Sequence, residues 1–345
     1  MDFTIAAILG LDGLTNGAIY ALVALALVLV FSVTRIIFIP QGEFVAFGAL
    51  TLASLQMGKV PGTVWLLLMM AVAAAVLDLV QGLREARPPA RIAKGLLATL
   101  ALPVGLALVV PAVLPSQPAL WLQVLLTLAI VTAMGPLLYR LAYRALSGAS
   151  VLTLLIVSVG VHFALTGIGL VFFGAEGYRT PAFWDARFDL GPLSLTGQTL
   201  IIFGASVVLL VAMYLFFERT LTGKALRATS VNRTGARLMG ISGDAAGSQT
   251  FTMAAFIGAL SGLLISPSTT IYYDTGFLIG LKGFVAAVFG GLASFPMALG
   301  GAIGVGLIES FGSFYASAFK EVIVFTVILP VLLWRSFVDP HHEEH

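Results

Sequence analysis

The chain has 345 residues, of which 59% are hydrophobic and only 10% are charged, and its formal net charge is +2. Soluble domains carry about 25% charged residues, so the composition excludes a soluble globular protein and predicts a polytopic membrane protein. The chain has no cysteine, which excludes disulfides, thiolate metal sites and cysteine nucleophiles. Three of its four histidines lie in the tail HHEEH, which we interpret as solvated rather than metal-binding.

The first predicted span covers residues 16–37, because the apolar run there reaches the ~20 residues that a bilayer requires. Arg35 marks its cytoplasmic end. Pro40 and Gly42 then interrupt the helix just before Glu43, and a short second span follows. A broken helix beside an acidic residue is typical of backbone that lines a cavity rather than lipid.

The remaining spans follow from the apolar runs and the basic loops between them. Loops that retain Lys and Arg lie on the cytoplasmic side, which places residues 84–94 and 140–144 inside and the mixed-charge segment 174–197 outside. The N-terminus then starts outside, and we favour a cytoplasmic C-terminus. Ten or eleven membrane segments are predicted, because residues 279–292 either cross fully or re-enter. The spans after the second are 64–83, 95–114, 119–138, 151–173, 198–217, 247–266, 279–292, 297–314 and 322–337.

Residues 218–241 form the most strongly basic segment of the chain and lie between two predicted spans. The segment also contains several small residues. Small residues allow close backbone packing and basic residues add positive charge, so the pattern favours a surface on which a soluble partner docks. The alternative is a cytoplasmic basic loop without a partner. Its basic residues are Arg219, Lys224, Arg227, Arg233 and Arg237.

Within this segment the pattern TLTGKALRA, followed by N and by ARLMGI, runs from Thr220 to Ile241. It resembles the coupling loop of permease subunits in ABC importers of the branched-chain amino acid family. Three other stretches are similar to that family and occur in the family's order: NGAIYALVALALVLVFSVTRII, LYRLAYRALSGASVLTLLIVSVGV and GFLIGLKGFVAAVFGGLASFPMALGGAIGVGLIES. Together they cover most of the chain.

The resemblance implies an all-α transmembrane helical bundle, one permease domain over residues 1–345, with a cytoplasmic coupling helix in the loop 218–243. Residues 59–145 include an apparent extra helix pair. The implied partners are a second homologous permease, two ABC ATPase subunits, a periplasmic binding protein and the lipid bilayer of a bacterial inner membrane, with no nucleic acid. No enzyme activity, catalytic residue, metal or cofactor is expected in this chain, because the partner ATPases bind ATP and Mg. The implied coupling residues are Gly223, Lys224, Arg227, Ala228, Asn232, Ala236, Gly240 and Ile241.

Two departures from the family pattern affect these expectations. Gly235 stands where a helix former is more usual, which should soften the coupling helix by about 1 kcal/mol relative to Ala. The stretch FIPQGEF replaces the more usual N-F-A-H-G-E, which leaves the ligand open. Urea, short amides and aromatic acids are the alternative ligands.

Gln41, Gly42 and Glu43 are the first candidates for the translocation path, because a carboxyl group within the membrane is costly and usually functional. The alternative for Glu43 is a structural cap on the N-terminus of the second span. Lys282 and Glu309 are the other path candidates. They either pair across helices or extend separately toward the membrane boundary.

Other polar and small residues within the spans have structural interpretations. His162 and Asp78 are predicted to be hydrogen-bonded packing residues. Gly300 and Gly304 are spaced for close helix packing, and the surrounding glycine run lacks the Lys-Ser or Lys-Thr of a nucleotide-binding loop. An ion-driven transporter or channel that works alone is the rival class. It would require several paired acids within the spans, whereas few intramembrane charges are apparent.

Overall fold

The computed structural model describes residues 3–191, 193–292, 294–327 and 329–333. Their fold is an all-α polytopic bundle, which confirms the predicted class. Eight helical segments of the described chain are long and apolar enough to cross a membrane. These segments contain α1 (Phe3–Thr34), α3 (Gly62–Arg84), α4 (Pro89–Val113), α5 (Leu120–Leu138), α6 (Val151–Phe173), α7 (Gly197–Arg219), α10 (Gly243–Ile265) and α12 (Phe295–Ala316).

Two further apolar helices, α2 (Gln41–Gln56) and α11 (Thr275–Phe289), are short. At 1.5 Å per residue they are about 24 and 22 Å long, against about 30 Å for the hydrocarbon core of a bilayer. The length of α11 favours the re-entrant alternative for this part of the chain. A short helix, α13 (Lys320–Thr326), follows α12 through a 3-10 turn, and the predicted segment 322–337 lies partly outside the described residues.

The first helix is longer than predicted. It begins at Phe3 rather than near residue 16, and it ends at Thr34. The early part of α1 contains one charged residue, Asp12, whose side chain is exposed, so this charge does not end the helix. Because α1 begins this early, it packs along most of α12.

Glycines make the contact between α1 and α12 close. A Cβ on Gly306 would overlap the backbone of Gly13 and Gly17 on α1. The predicted packing role of Gly300 and Gly304 is wrong within the described part of the chain, where nothing lies within 4 Å of a Cβ at either position. Their spacing placed both on one face of α12, but a different face of that helix meets α1 and α11.

Contacts between distant loops identify the two ends of the bundle. At one end, here called the basic end, Arg233 binds the carbonyl of Val33 and Arg144 pairs with Asp244 at 2.9 Å. At the other, the hairpin end, β1 (Arg187–Leu190) pairs with β2 (Leu193–Thr196) in an antiparallel hairpin. The small hairpin was not anticipated in the all-α prediction.

The chain turns back into the bundle after α1 ends at the basic end. Arg35 has a φ of 60°, and the buried ring of Phe38 packs against Phe251 with a centroid separation of 4.8 Å. Gln41 then donates from Nε2 to the carbonyl of Ala254, at 3.0 Å. Since Ala254 lies midway along α10, the short helix α2 begins inside the bundle rather than at its end.

Candidate functional site

The basic segment folds as two short helices at the basic end, α8 (Leu221–Val231) and α9 (Arg233–Leu238). Each starts at a polar cap: Thr220 Oγ1 accepts from the Gly223 N–H at 3.0 Å, and Asn232 Oδ1 accepts from the Gly235 N–H at 2.8 Å. The break between the helices lies at Asn232, which has a φ of −148° and a ψ of 99°. The expectation of a weak point at Gly235 is therefore wrong, because this residue lies inside α9 and its N–H donates to the capping side chain of Asn232.

Arg233 anchors the two helices to the transmembrane bundle. Its Nε and Nη2 donate to the carbonyl of Val33 at 3.1 and 2.9 Å, in the last turn of α1. A cation is favourable at this end of a helix, where carbonyls lack partners. Burial, and then the neighbouring Arg35 and Arg237, lower the pKa of Arg233. The sequence marked Arg233 only as one of several basic residues, because its partner lies 200 positions away.

Of the eight implied coupling residues, six face outward at least in part and two face the protein. Gly223 and Ala236 are buried, and a Cβ on Gly223 would overlap the backbone of Phe216. The interpretation that small residues shape a surface for a partner is therefore wrong for Gly223, which packs α8 against the bundle, whereas the buried Ala236 still lines the floor of an open groove. The outward residues are Lys224, Arg227, Ala228, Asn232, Gly240 and the half-buried Ile241.

Large apolar side chains on the same helices are unusually exposed. Leu221, Val231, Leu238 and Met239 are each more than 80% accessible. An open groove between α8 and α9, of ≈ 480 Å³, is lined by five of the outward residues together with Val231, Gly235, Ala236 and Met239. The outward residues and the four exposed apolar side chains are called the coupling surface below. Its apolar members were not predicted from the sequence, because small and basic residues were taken as the signature of a docking surface.

A second candidate site lies in the centre of the bundle, where the first turns of α2 and α11 meet. A Cβ on Gly42 would overlap the carbonyl of Gly276, and the amide nitrogen of Gly280 lies close to the same point. Neither helix has a side-chain cap at its N-terminus. Two short helices whose N-terminal ends meet inside a bundle are typical of substrate sites in transporters.

Glu43 lies at this meeting point and is 1% exposed. Its Oε1 is 2.6 Å from Nδ1 of His162, which lies midway along α6. The His162 ring stacks on Phe277 in the first turn of α11, with centroids 4.6 Å apart. Glu43 is in the first turn of α2, at the favourable end of the helix dipole as the structural alternative predicts, but it forms no side-chain cap hydrogen bond there. His162 is hydrogen-bonded, as predicted.

Comparison with known proteins shows which family the sequence matches. A model of the family described as branched-chain amino acid transport system / permease component matches residues 90–332, more than half of the chain. The chain belongs to this family. No solved structure matches it. The family therefore rests on sequence, and the family predicted from the sequence is confirmed.

Two relatives of this family member carry specific names. One is the high-affinity branched-chain amino acid transport system permease protein BraD of Pseudomonas aeruginosa, 30% identical over 230 residues, which cover 64% of this chain and 75% of BraD. Another is the corresponding permease protein LivH of Escherichia coli, 28% identical over 213 residues, which cover 60% of this chain and 69% of LivH. With eight candidate spans, the chain is a multi-pass membrane protein of this permease family.

A buried charge cluster joins α1, α11, α12 and α13 of this permease. Lys282 Nζ lies 2.6 Å from Glu309 Oε1 and 3.1 Å from Glu321 Oε1. The Tyr20 hydroxyl donates to Glu309 Oε2 at 2.5 Å. The predicted pairing of Lys282 with Glu309 is confirmed, and the alternative in which each extends to the membrane boundary is wrong. Their role in the translocation path stays a prediction.

Asp78 on α3 also has partners, as predicted. It forms an ion pair with Arg140, just beyond α5, and accepts from Thr99 on α4 at 3.4 Å. Arg140 also donates to Thr99 at 3.0 Å. This cluster attaches the predicted extra helix pair to α5. The described residues contain no group of three or more His, Asp or Glu side chains arranged to hold a metal ion.

Proposed function

We propose that the chain is a permease subunit of an ATP-driven importer for branched-chain amino acids in a bacterial inner membrane. The subunit pairs with a second, similar permease to form the path, receives ligand from a periplasmic binding protein, and binds two ATPase subunits that hold ATP and Mg. The observation that carries this proposal is the family match, joined to the exposed apolar and basic coupling surface.

The coupling surface has the chemistry of a docking site. Apolar surface in contact with water is unfavourable by roughly 25 cal/mol per Å², and clustered exposed apolar side chains mark interaction sites. Leu238 and Met239 lie in a basic segment between spans, on the side where positive loops are retained. A soluble partner that covers them, with acidic groups opposite Lys224 and Arg227, satisfies both features.

The structure also offers a route from the coupling surface to the bundle centre. Leu226 of α8 is buried with Leu29 and Val33 of α1, and Arg233 binds the Val33 carbonyl. The chain continues from α1 through residues 35–40 into α2, whose first turn carries Glu43. Movement of α8 and α9 with the ATPase subunits would therefore displace the end of α1 and the start of α2. We propose that this displacement drives alternating access.

Uptake of labelled leucine tests the proposal. The chain is expressed with the second permease, the two ATPase subunits and the binding protein in cells that lack their own leucine uptake. Arg227→Asp reverses one charge of the coupling surface, and Arg187→Asp makes the same change on the exposed hairpin at the opposite end. We expect Arg227→Asp to reduce both ATPase co-purification and uptake while Arg187→Asp leaves co-purification intact. Equal effects would refute the docking role, and uptake without ATP would refute the ATP-driven mechanism.

A further inference from the structure

The Glu43 side chain is only half satisfied. Oε1 contacts His162, but Oε2 has no hydrogen-bond partner among the described residues although it is fully buried. Buried polar atoms nearly always have partners, and an unpaired acceptor of a carboxyl group is among the most costly exceptions. The unpaired oxygen lies on a side chain that another contact keeps in place. It is an acceptor ready for a donor that the described chain does not supply.

The surroundings of this oxygen favour a cationic donor. The nearby groups are the acid itself, the His162 ring, and the aromatic face of Phe277 stacked on that ring. Thr166 on α6 adds a hydroxyl 3.5 Å from His162 Nδ1. A carboxylate forms its strongest hydrogen bonds with charged donors. At Oε2 itself a protonated amine therefore fits, whereas a carboxylate or phosphate does not; the N-terminal ends of α2 and α11 favour anions at other points of the same site.

The site is closed in this structure. Gly42 and Gly276 are in backbone contact, and the adjoining cavity, lined by Phe38, Ile39, Phe277 and Gly280 among others, measures only ≈ 10 Å³. That is about the space of one water molecule. A ligand therefore reaches Glu43 only when the first turn of α11 moves away from α2. In the closed form His162 is the partner of Glu43.

We propose that Glu43 binds the protonated amino group of the transported ligand as the ligand passes between α2 and α11. His162 positions the carboxyl group through Oε1, and the ligand's ammonium group donates to Oε2. This inference rests on the proposed function, because it assigns to the amino group of an amino acid a binding site on the path. Gln41 has its own unpaired oxygen, but its Nε2 is directed at α10, and the proposal does not use it.

The absence of cysteine allows a direct test of the charge that the site prefers. Thr166→Cys introduces a single thiol beside His162 in the full complex, during ATP turnover in proteoliposomes. Two methanethiosulfonate reagents of similar size are compared, one carrying an aminoethyl and one a sulfonatoethyl group. Each labelling rate is divided by the rate of the same reagent on a free thiol. On this scale we expect the cationic reagent to label about tenfold faster than the anionic one, because Glu43 attracts it. The added change Glu43→Gln should abolish this preference, and Glu43→Asp should retain it.

A matched reporter and a competition experiment complete the test. Lys59 is exposed just beyond α2, at the hairpin end of the bundle. A thiol introduced there by Lys59→Cys should show the same cation preference whether or not Glu43→Gln is also present. In the Thr166→Cys protein with Glu43 intact, 3-methylbutylamine should slow labelling and 3-methylbutanoate should not. This arm remains informative if Glu43→Gln prevents assembly.

The outcomes separate this inference from the proposed function. Absence of labelling of the Thr166→Cys thiol during turnover, a preference that Glu43→Gln does not change, or equal competition by the amine and the acid would overturn the ammonium site. A charge preference that depends on Glu43 in a complex that fails to import leucine would support the site and refute the proposed ligand. Water filling the space beside Oε2 would give neither preference nor amine protection, and would also overturn the inference.

Discussion

The coupling surface and the bundle centre both place polar groups in an apolar protein, but they are built from different kinds of contact. The caps of α8 and α9 join residues three positions apart, and most of the coupling residues face outward. In the centre, Glu43 contacts a residue 119 positions away and Gln41 one 213 positions away. Changes at the surface should therefore impair partner binding while the subunit stays folded, whereas changes at the centre should affect folding and function together.

The largest effect should come from Gly42→Val. Its side chain would overlap the backbone of Gly276, which cannot move without displacing α11. Overpacking against backbone exceeds the 1–3 kcal/mol that is typical of cores, so we expect little folded protein, measured by size-exclusion chromatography in detergent. Gly160→Val on α6 is the control, because nothing lies within 4 Å of a Cβ there. Normal yields of the Gly42 variant would show that α2 and α11 are not in close contact.

The next effect concerns the buried charge cluster. Lys282→Met leaves Glu309 buried without its cation, which should lower the free energy of unfolding by about 3–5 kcal/mol. Lys282→Met combined with Glu309→Gln should recover part of that loss. Arg87→Met breaks the exposed pair of Arg87 with Glu85 and should cost roughly 0–1 kcal/mol. Thermal unfolding in detergent measures all three, and equal destabilisation by the two single changes would contradict burial of the cluster.

The coupling surface and the bundle centre also differ in how far the sequence predicts them. The basic segment and its place between spans follow from local composition, because charge and helix periodicity are local properties. The broken helix at Pro40 and Gly42 follows in the same way, and α2 starts at Gln41. The pairing of Lys282 with Glu309 was one of two predicted alternatives, since two opposite charges in apolar helices favour each other.

What the sequence did not predict depends on which helix faces meet. Gly300 and Gly304 have the right spacing for close packing, but Gly306 makes the contact with α1, because rotation of α12 is set by all its neighbours. Glu43 and His162 were both singled out, yet nothing local links residues on α2 and α6. Likewise, Gly223 has the size expected of a docking surface, and only tertiary packing turns it inward.

Arg233→Ala tests the connection between the two regions. The variant loses two charged hydrogen bonds to the Val33 carbonyl, which should destabilise docking of α9 on α1 by about 1.5 kcal/mol. We expect faster hydrogen exchange in α9, and lower uptake per ATP hydrolysed in the full complex. Arg237→Ala is the control on the same helix, since Arg237 is exposed. Identical exchange in the two variants would show that Arg233 does not anchor the segment.

The smallest expected effect on stability is at Asn232. It distinguishes the break at Asn232 that the structure shows from the weak point at Gly235 that the sequence predicted. Asn232→Ala removes the cap of α9 and should cost about 1 kcal/mol, whereas Asn232→Gly should cost only a few tenths. If Gly235 were the weak point, Gly235→Ala would gain about 1 kcal/mol and stiffen the segment. Here a Cβ at position 235 would lie 3.2 Å from Cγ of Asn232, so crowding against the cap offsets that gain.

Spin labels on cysteines introduced at Thr222 and Leu238 measure the outcome, because the chain has no other cysteine. The distance between the labels should broaden in Asn232→Ala, as α9 frays, and stay unchanged in Gly235→Ala. A narrower distribution in Gly235→Ala would support the softening at Gly235 that the sequence predicted. Because Asn232 ends α8 and caps α9, a change confined to its side chain alters the angle between the helices without changing the charge of the coupling surface. Loss of uptake in Asn232→Ala with normal ATPase co-purification would then show that the shape of the break, and not only binding, transmits movement to α1.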